Sequence, residues 1–388
     1  MRKSRLVLMV IFLLVVAFFA LAPGYLDRSM NRVVSAETSL AVGEEAAALH
    51  ARLSVVDLHA DPLLWRRDLL VENDHGHVDL PRLEAGNVAI QVFAATTKSP
   101  VGQNYDSNPS DSDMLTGLVI ANRQPASTWT SLFERALYQA DKLAEMEARA
   151  QGRLKFLRSA SDLEALVAVR AREGRPVGAV MALEGAHALE GRLQNLQGLF
   201  DAGYRVLGLA HFFDNEVSGS MHGIDKYGLT DFGRKVVAQA EAMGMIIDLA
   251  HASPAALAEV LASTSRPVIV SHGGVQATCK VNRNLSDEQI QAVAANNGLI
   301  GIGYWDGAVC DTSPEGIVAA MTHVRDLVGV SYIALGSDFD GSVVTRFDTS
   351  QLSVLTQALL DAGFSEEDIA AIMGGNALRL FYQLLPRE

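Results

Sequence analysis

Basic charge, cysteine and linker sequence are all scarce in this chain. Lys and Arg number 32 against 45 Asp and Glu, a net charge of −13, and no Lys- or Arg-rich run reverses the balance locally. That excludes a nucleic-acid partner, because no cationic surplus exists to neutralise phosphates. Only two cysteines occur, Cys279 and Cys310. They are either two unrelated buried thiols or one bridge closing a loop of about 32 residues, so they argue only weakly for an oxidising compartment. Neither lies near the N-terminus, which excludes a lipid anchor on a modified N-terminal cysteine. Pro, Gly and Ser never gather into a linker, and no low-complexity stretch occurs.

What is present is apolar residue in quantity: 49% of 388 residues, enough for one barrel-sized domain or two smaller ones. A long apolar run occurs at the start, where Arg2, Lys3 and Arg5 precede 17 apolar residues, Leu6 to Ala22. That is the short end of the roughly 17–25 needed to span a bilayer. The positive flank stays cytoplasmic, so the rest of the chain crosses the membrane. Ala20-Leu21-Ala22 offers a small-x-small cleavage site, but Pro23 directly after it hinders cleavage. The expectation is an uncleaved signal-anchor over residues 1–30, with residues 31–388 as one domain on the periplasmic or extracellular face. A secreted or periplasmic form after signal cleavage is the alternative.

Behind the anchor, Ser35 to Leu53 is alanine-rich and reads as a leader helix. Strand-sized apolar runs then alternate with helical segments: Val55–Asp61, Val88–Ala94, Gly178–Glu184, Arg205–His211, Met245–His251, Val268–His272, Leu299–Trp305 and Tyr332–Asp338. Eight such units point to an α/β fold, a closed parallel (β/α)8 TIM-type barrel. Ser286-x-x-Gln289 is a capping box opening a helix to about Asn296, and Ser365-Glu366-Glu367-Asp368 opens a last helix running toward Leu385. About 80 residues separate the second run from the third. They hold a polar stretch, Lys98 to Asp113, and a helical pattern from about Ser131 to Ala150, an insertion expected to sit over the barrel mouth as a lid.

The ends of the runs carry the chemistry. His59 and Asp61 end the first, Glu184 the third, His211 the fourth, His251 the fifth, His272 the sixth and Asp338 the eighth. Residues two apart in a strand share a face, so His59 and Asp61 project together from a buried strand, a costly place for a carboxylate without a partner. Six of eight strands deliver a histidine or carboxylate to one rim. Imidazoles with carboxylates and no thiolate suit zinc, manganese or cobalt, and leave positions open for water and substrate. Seven polar groups exceed the needs of one tetrahedral ion, so two ions sharing a carboxylate is the economical arrangement.

The motifs "DLHAD", "ALEGAH", "DLAH", "VSHGG", "NRN", "GSDFDG" and "GGNALRLF", in this order over about residues 50 to 385, resemble those of the zinc membrane dipeptidases, the renal dipeptidase-like branch of the amidohydrolase superfamily. The resemblance implies a (β/α)8 barrel that hydrolyses dipeptides and is often a homodimer. Carried over by position, it implies that His59 and Asp61 bind one zinc, His251 and His272 the other, and Glu184 bridges both. It further implies that His211 stabilises the oxyanion, Arg283 grips the free carboxylate of the dipeptide, and Asp338 contacts the bridging water and substrate amine and shuttles a proton.

Plainer readings stand beside these. His59, Asp61 and Glu184 would otherwise be a buried polar network, an expensive one without a cation; His251 and His272, core histidines bonded to backbone; His211, a structural hydrogen-bond donor; Arg283, an ion-pair partner. Asp340 competes with Asp338. His75, His77, His187 and His222 are expected to be solvated loop histidines without chemistry. The rival functions are a binuclear hydrolase of another amide, lactam or ester, and an anchored binding module.

Overall fold

A computed structural model describes residues 2–34 and 40–387. All eight expected runs form strands: β1 (Val55–Ala60), β2 (Val88–Thr96), β3 (Val177–Glu184), β4 (Tyr204–Gly208), β5 (Ile246–Asp248), β6 (Ile269–Val270), β7 (Leu299–Ile302) and β8 (Ile333–Leu335). Every pairing is parallel, in the order β2-β1-β8-β7-β6-β5-β4-β3, and β3 pairs back onto β2 from Ile90↔Gly178 to Thr96↔Glu184, which closes the barrel. The strands are buried on both faces, the condition that lets them read as continuous apolar runs rather than alternating ones.

His59 and Glu184 lie within β1 and β3, but β4, β5, β6 and β8 stop two or three residues before His211, His251, His272 and Asp338. Those groups therefore stand in the loops just beyond the ladder, at the C-terminal rim where barrels of this type hold their sites. The insertion after β2 contains α3 (Leu115–Ala121) and α4 (Leu132–Arg149), following α1 (Arg2–Met30) and α2 (Glu44–His50) earlier in the chain. Ser131 caps α4 by accepting from the Glu134 amide. Ser99, Tyr105, Met114, Leu115 and Leu118 of the insertion line the cavity at the barrel mouth, as expected of a lid. A short strand, Leu154–Phe156, adds to the foot of β3; the polar Lys155 at its centre hides it in the sequence.

Two helical expectations are corrected. The leader helix is shorter than Ser35 to Leu53: residues 40–43 are not helical, α2 begins at Glu44, and residues 35–39 lie outside the described residues. The last helix is not continuous to Leu385, because Glu366–Ala370 and Asn376–Leu384 are separated at Gly374. A Cβ on Gly374 would lie 1.8 Å from the Ser54 carbonyl oxygen, so the backbone there presses directly against the entry to β1. The Ser286–Gln289 capping box forms as expected, and Cys279 and Cys310 are joined in a disulfide.

At the N-terminus α1 is helical through Pro23, and Leu6, Val7, Leu8, Phe12 and Leu21 are exposed along it. Among the described residues no helix is long and apolar enough to cross a membrane.

Candidate metal centre

The rim side chains meet around Glu184. Its Oε1 lies 3.4 Å from His59 Nε2, 3.2 Å from His251 Nε2 and 3.4 Å from His272 Nε2, while Oε2 lies 3.5 Å from His211 Nε2. His59 Nε2 is also 3.3 Å from Asp61 Oδ2 and 4.0 Å from Asp338 Oδ1. Four of the expected groups therefore meet Glu184 directly, and Asp61 and Asp338 join them through His59. Gly185, directly after Glu184, has φ 94°, and a Cβ on it would meet the His187 ring at 2.4 Å; only glycine lets the chain turn here beneath that ring.

Arg283 joins the same cavity of about 740 Å³. Its Nη2 donates to the His272 carbonyl at 2.7 Å and its guanidinium lies 5.7 Å from the Trp305 ring. No carboxylate pairs with it among the described residues, unlike Arg234, which pairs with Asp231 and Glu259 on the surface. Lys226 is likewise taken, donating to the Asp106 carbonyl. Asp340, the competitor of Asp338, is fully buried against Arg67 and His77 and does not face the cavity.

The residues fit a divalent metal. Among the described residues His59 Nε2 is buried without a well-aligned hydrogen-bond partner, and the two Nε2 atoms of His251 and His272 face each other at 3.0 Å. Burial, reinforced by the Arg283 charge, drives the imidazoles of His251 and His272 well below their ordinary pKa, so both present lone pairs. Burial opposes ionisation of Glu184, but the positive charge of His211 and His59 outweighs it and holds that carboxyl well below the usual range. The neutral imidazoles of His251 and His272 beside an ionised carboxylate are ligand forms a hard or borderline cation requires. Three overlapping sets of ligand atoms are close enough to share an ion: His59, Glu184 and His272; Glu184, His211 and His251; and His59, Asp61 and Asp338.

Several supporting residues carry little or no sequence signal. Thr96 Oγ1 donates at 2.5 Å to Glu184 Oε2, and lies 3.0 Å from Asp61 Oδ1. Ser271 Oγ lies 2.9 Å from His272 Nδ1 and 3.4 Å from His59 Nδ1. His211 Nδ1 faces the Lys98 carbonyl at 3.3 Å. These contacts fix ring orientation, which metal-ligating histidines need. Thr96 is detectable in principle as the true last residue of a strand whose apolar run stops at Ala94; Ser271 has no signal beyond its place before His272. Against expectation, His77, His187 and His222 are buried rather than solvated. His77 is held by Asp340, His187 by Thr97 and His222 by the Tyr105 carbonyl.

Comparison with known proteins agrees with this geometry. Residues 43–385 match the family described as membrane dipeptidase, peptidase family M19. Dipeptidase aclJ of Aspergillus oryzae is 28% identical over 85% of this chain and 78% of its own, and dipeptidase 3 of Rattus norvegicus is 27% identical over 88% and 67%. A solved metallopeptidase from Rhodobacter sphaeroides, liganded with a phosphinate mimic of the dipeptide L-Ala-D-Ala, superposes with a TM-score of 0.70 at 25% identity. That match covers 86% of this chain and 99% of the other.

Proposed function

The chain belongs to the membrane dipeptidase family, peptidase family M19, and from that premise we propose that it hydrolyses dipeptides with two zinc ions, one held by His59 and Asp61, the other by His251 and His272, with Glu184 between them. The observation that carries the reading is the convergence of three His Nε2 atoms within 3.4 Å of one Glu184 oxygen, in a cavity that also holds an arginine without a carboxylate partner among the described residues. When bound, zinc supplies a water acidified toward neutral pH and a Lewis acid for the scissile carbonyl.

The chain's own groups do the rest. Arg283 receives the substrate's terminal carboxylate, a charge-assisted contact favoured by the buried setting. This sets the length limit, since a longer peptide places no carboxylate within reach. His211, its Nδ1–H directed to the Lys98 carbonyl, turns Nε2 toward the cavity, on the side where charge develops on the substrate oxygen. Burial holds the Asp338 carboxyl well above the usual carboxylate range against the pull of His59, with Asp61 and Glu184 adding to the rise. Beside a metal-held water Asp338 would take the water's proton and pass it to the leaving amine. The lid residues Tyr105, Leu115 and Leu118 exclude bulk water.

The exposed apolar side chains of α1 and its positive flank support association of the N-terminal segment with a membrane, the catalytic barrel outside the cytoplasm; a homodimer is the assembly the family leads one to expect. The test is turnover by the purified full chain with added zinc on free dipeptides, including D-residues at the C-terminal position, against cyclic amides and esters. Zinc-dependent cleavage of dipeptides is the expected result. Preference for a cyclic amide or ester would make the enzyme a different binuclear hydrolase, and binding without turnover would make it a binding module.

A further inference from the structure

The loop after β8 carries Asp338, and it is held in an improbable shape. Asp338, Asp340 and Ser342 have φ of 60°, 64° and 65°, left-handed values disfavoured for any residue with a Cβ. Such a run persists only when its surroundings over-determine it, and part of those surroundings is tied to α1 through Asp27. Asp27, on the last turns of α1, is buried with its Oδ2 2.8 Å from Arg67 Nε; Arg67 Nη2 is in turn 2.7 Å from Asp340 Oδ2. These pairs are close but poorly aligned as hydrogen bonds, so charge holds them. Asp340 also accepts from the amides of His77 and Val78.

A second strut runs parallel to the first. Asp27 Oδ1 accepts from Asn31 Nδ2 at 2.9 Å, and Asn31 Oδ1 accepts from the Ser342 amide at 2.9 Å. The chain continues as Arg32–Val33, paired in parallel with Val344–Thr345. Two connections thus run from Asp27 in α1 and from Asn31 just past its end, and reach the loop at Asp340 and Ser342, just beyond Asp338. Leu26 and Met30 line the catalytic cavity beside Gly341 and Ser342.

We propose that Asp27, Asn31 and Arg67 are positioning residues that hold Asp338 in its proton-transfer geometry, making the end of the N-terminal helix a built part of the active site. This rests on the reading of Asp338 as the proton carrier in dipeptide hydrolysis. A displacement of about 1 Å at a reacting group can lower a rate about 100-fold, so modest loosening has a large readout.

The experiment uses the full chain with Asp27→Asn, Asn31→Ala and Asp338→Asn, singly and with Asp27→Asn combined with Asp338→Asn. Zinc content, kcat, KM and hydrogen exchange of residues 337–345 are measured for each. Asp27→Asn and Asn31→Ala should lower kcat roughly 10- to 100-fold, with KM and zinc content unchanged and exchange in the loop faster. In the Asp338→Asn background, Asp27→Asn should have no further effect on kcat, because residues acting through one group do not add. An undiminished kcat in both single variants, or an equal loss in the Asp338→Asn background, overturns the proposal. If the wild type cleaves no dipeptide, the dipeptidase reading fails; loop exchange unaltered by both single variants then overturns the brace itself, and faster exchange sustains it.

Discussion

His251 Nε2 and His272 Nε2 lie 3.0 Å apart, both within 3.4 Å of Glu184 Oε1. Two neutral imidazoles so placed turn lone pairs toward one point beside an ionised carboxylate, a repulsive arrangement that a cation reverses.

Metal content follows from that relationship. Purified full-length protein should hold about two zinc ions per chain if the rim groups divide into two sites about Glu184 as proposed. Glu184→Ala should lose both, and His272→Ala should mainly weaken one. Elemental analysis after gentle purification checks this, and one ion or none in the wild type would count against the bridged pair.

Acid stability should be governed by histidines that the sequence alone places in solvent. Burial, with the charges of His211 and Lys98 adding, lowers His187 to about 3; burial, with the Arg283 charge adding, lowers His222 to about 3. Both folded values lie below the unfolded value of about 6.5, so the unfolded chain takes up protons first as pH falls. Stability is therefore intact above about pH 6.5 and falls between about 6.5 and 3, by roughly 1.4 kcal/mol per pH unit for each histidine. Urea unfolding at about pH 5 and pH 7 in the presence of chelator measures the slope without interference from metal loss. His187→Gln should flatten it by about one proton; an unchanged slope would show that this histidine is protonated in the folded state.

The N-terminal segment makes a separate expectation. The protein should fractionate with membranes and be accessible to protease from outside the cytoplasm, given Arg2, Lys3 and Arg5 before the apolar run. A soluble mature chain starting near Pro23 by mass measurement would show a cleaved signal instead. Either outcome retains Asp27 and Asn31, so the brace on the Asp338 loop does not depend on which is found.

The barrel and its rim are legible in the sequence because each βα unit is local: a doubly buried strand reads as an apolar run, and the residue at its end points into the site whatever the rest of the chain does. Glu184, His251 and His272 are recognisable that way. Burial of His77, His187 and His222 is not legible, because partners such as Asp340, Thr97 and Tyr105 come from distant parts of the chain. The break at Gly374 is hidden for the same reason, since what it meets is Ser54, over 300 residues earlier. Asp338 and Asp340 share a motif and a backbone conformation, and Arg67, His77 and Val78, reached through the tertiary fold, separate the group facing the cavity from the one that anchors the loop.

Substrate length tests Arg283 directly. If its guanidinium binds the terminal carboxylate, Arg283→Ala should cost roughly 2–4 kcal/mol in transition-state stabilisation toward dipeptides, the scale of removing a charge-assisted hydrogen bond from a desolvated site. A C-terminally amidated dipeptide should be nearly as poor for the wild type, because the same interaction is missing from the other side. The mutant should then no longer distinguish free from amidated substrate, so the two effects fail to add, as partners in one interaction must. kcat/KM for the four combinations of enzyme and substrate measures this. A mutant that still prefers the free carboxylate would make Arg283 a structural support for the His272 loop, through its bond to the His272 carbonyl. Lys226 and Arg234 are poor replacements, one bonded to a backbone carbonyl and the other to surface carboxylates. Untouched dipeptide cleavage would remove the length argument altogether and favour a broader amide hydrolase.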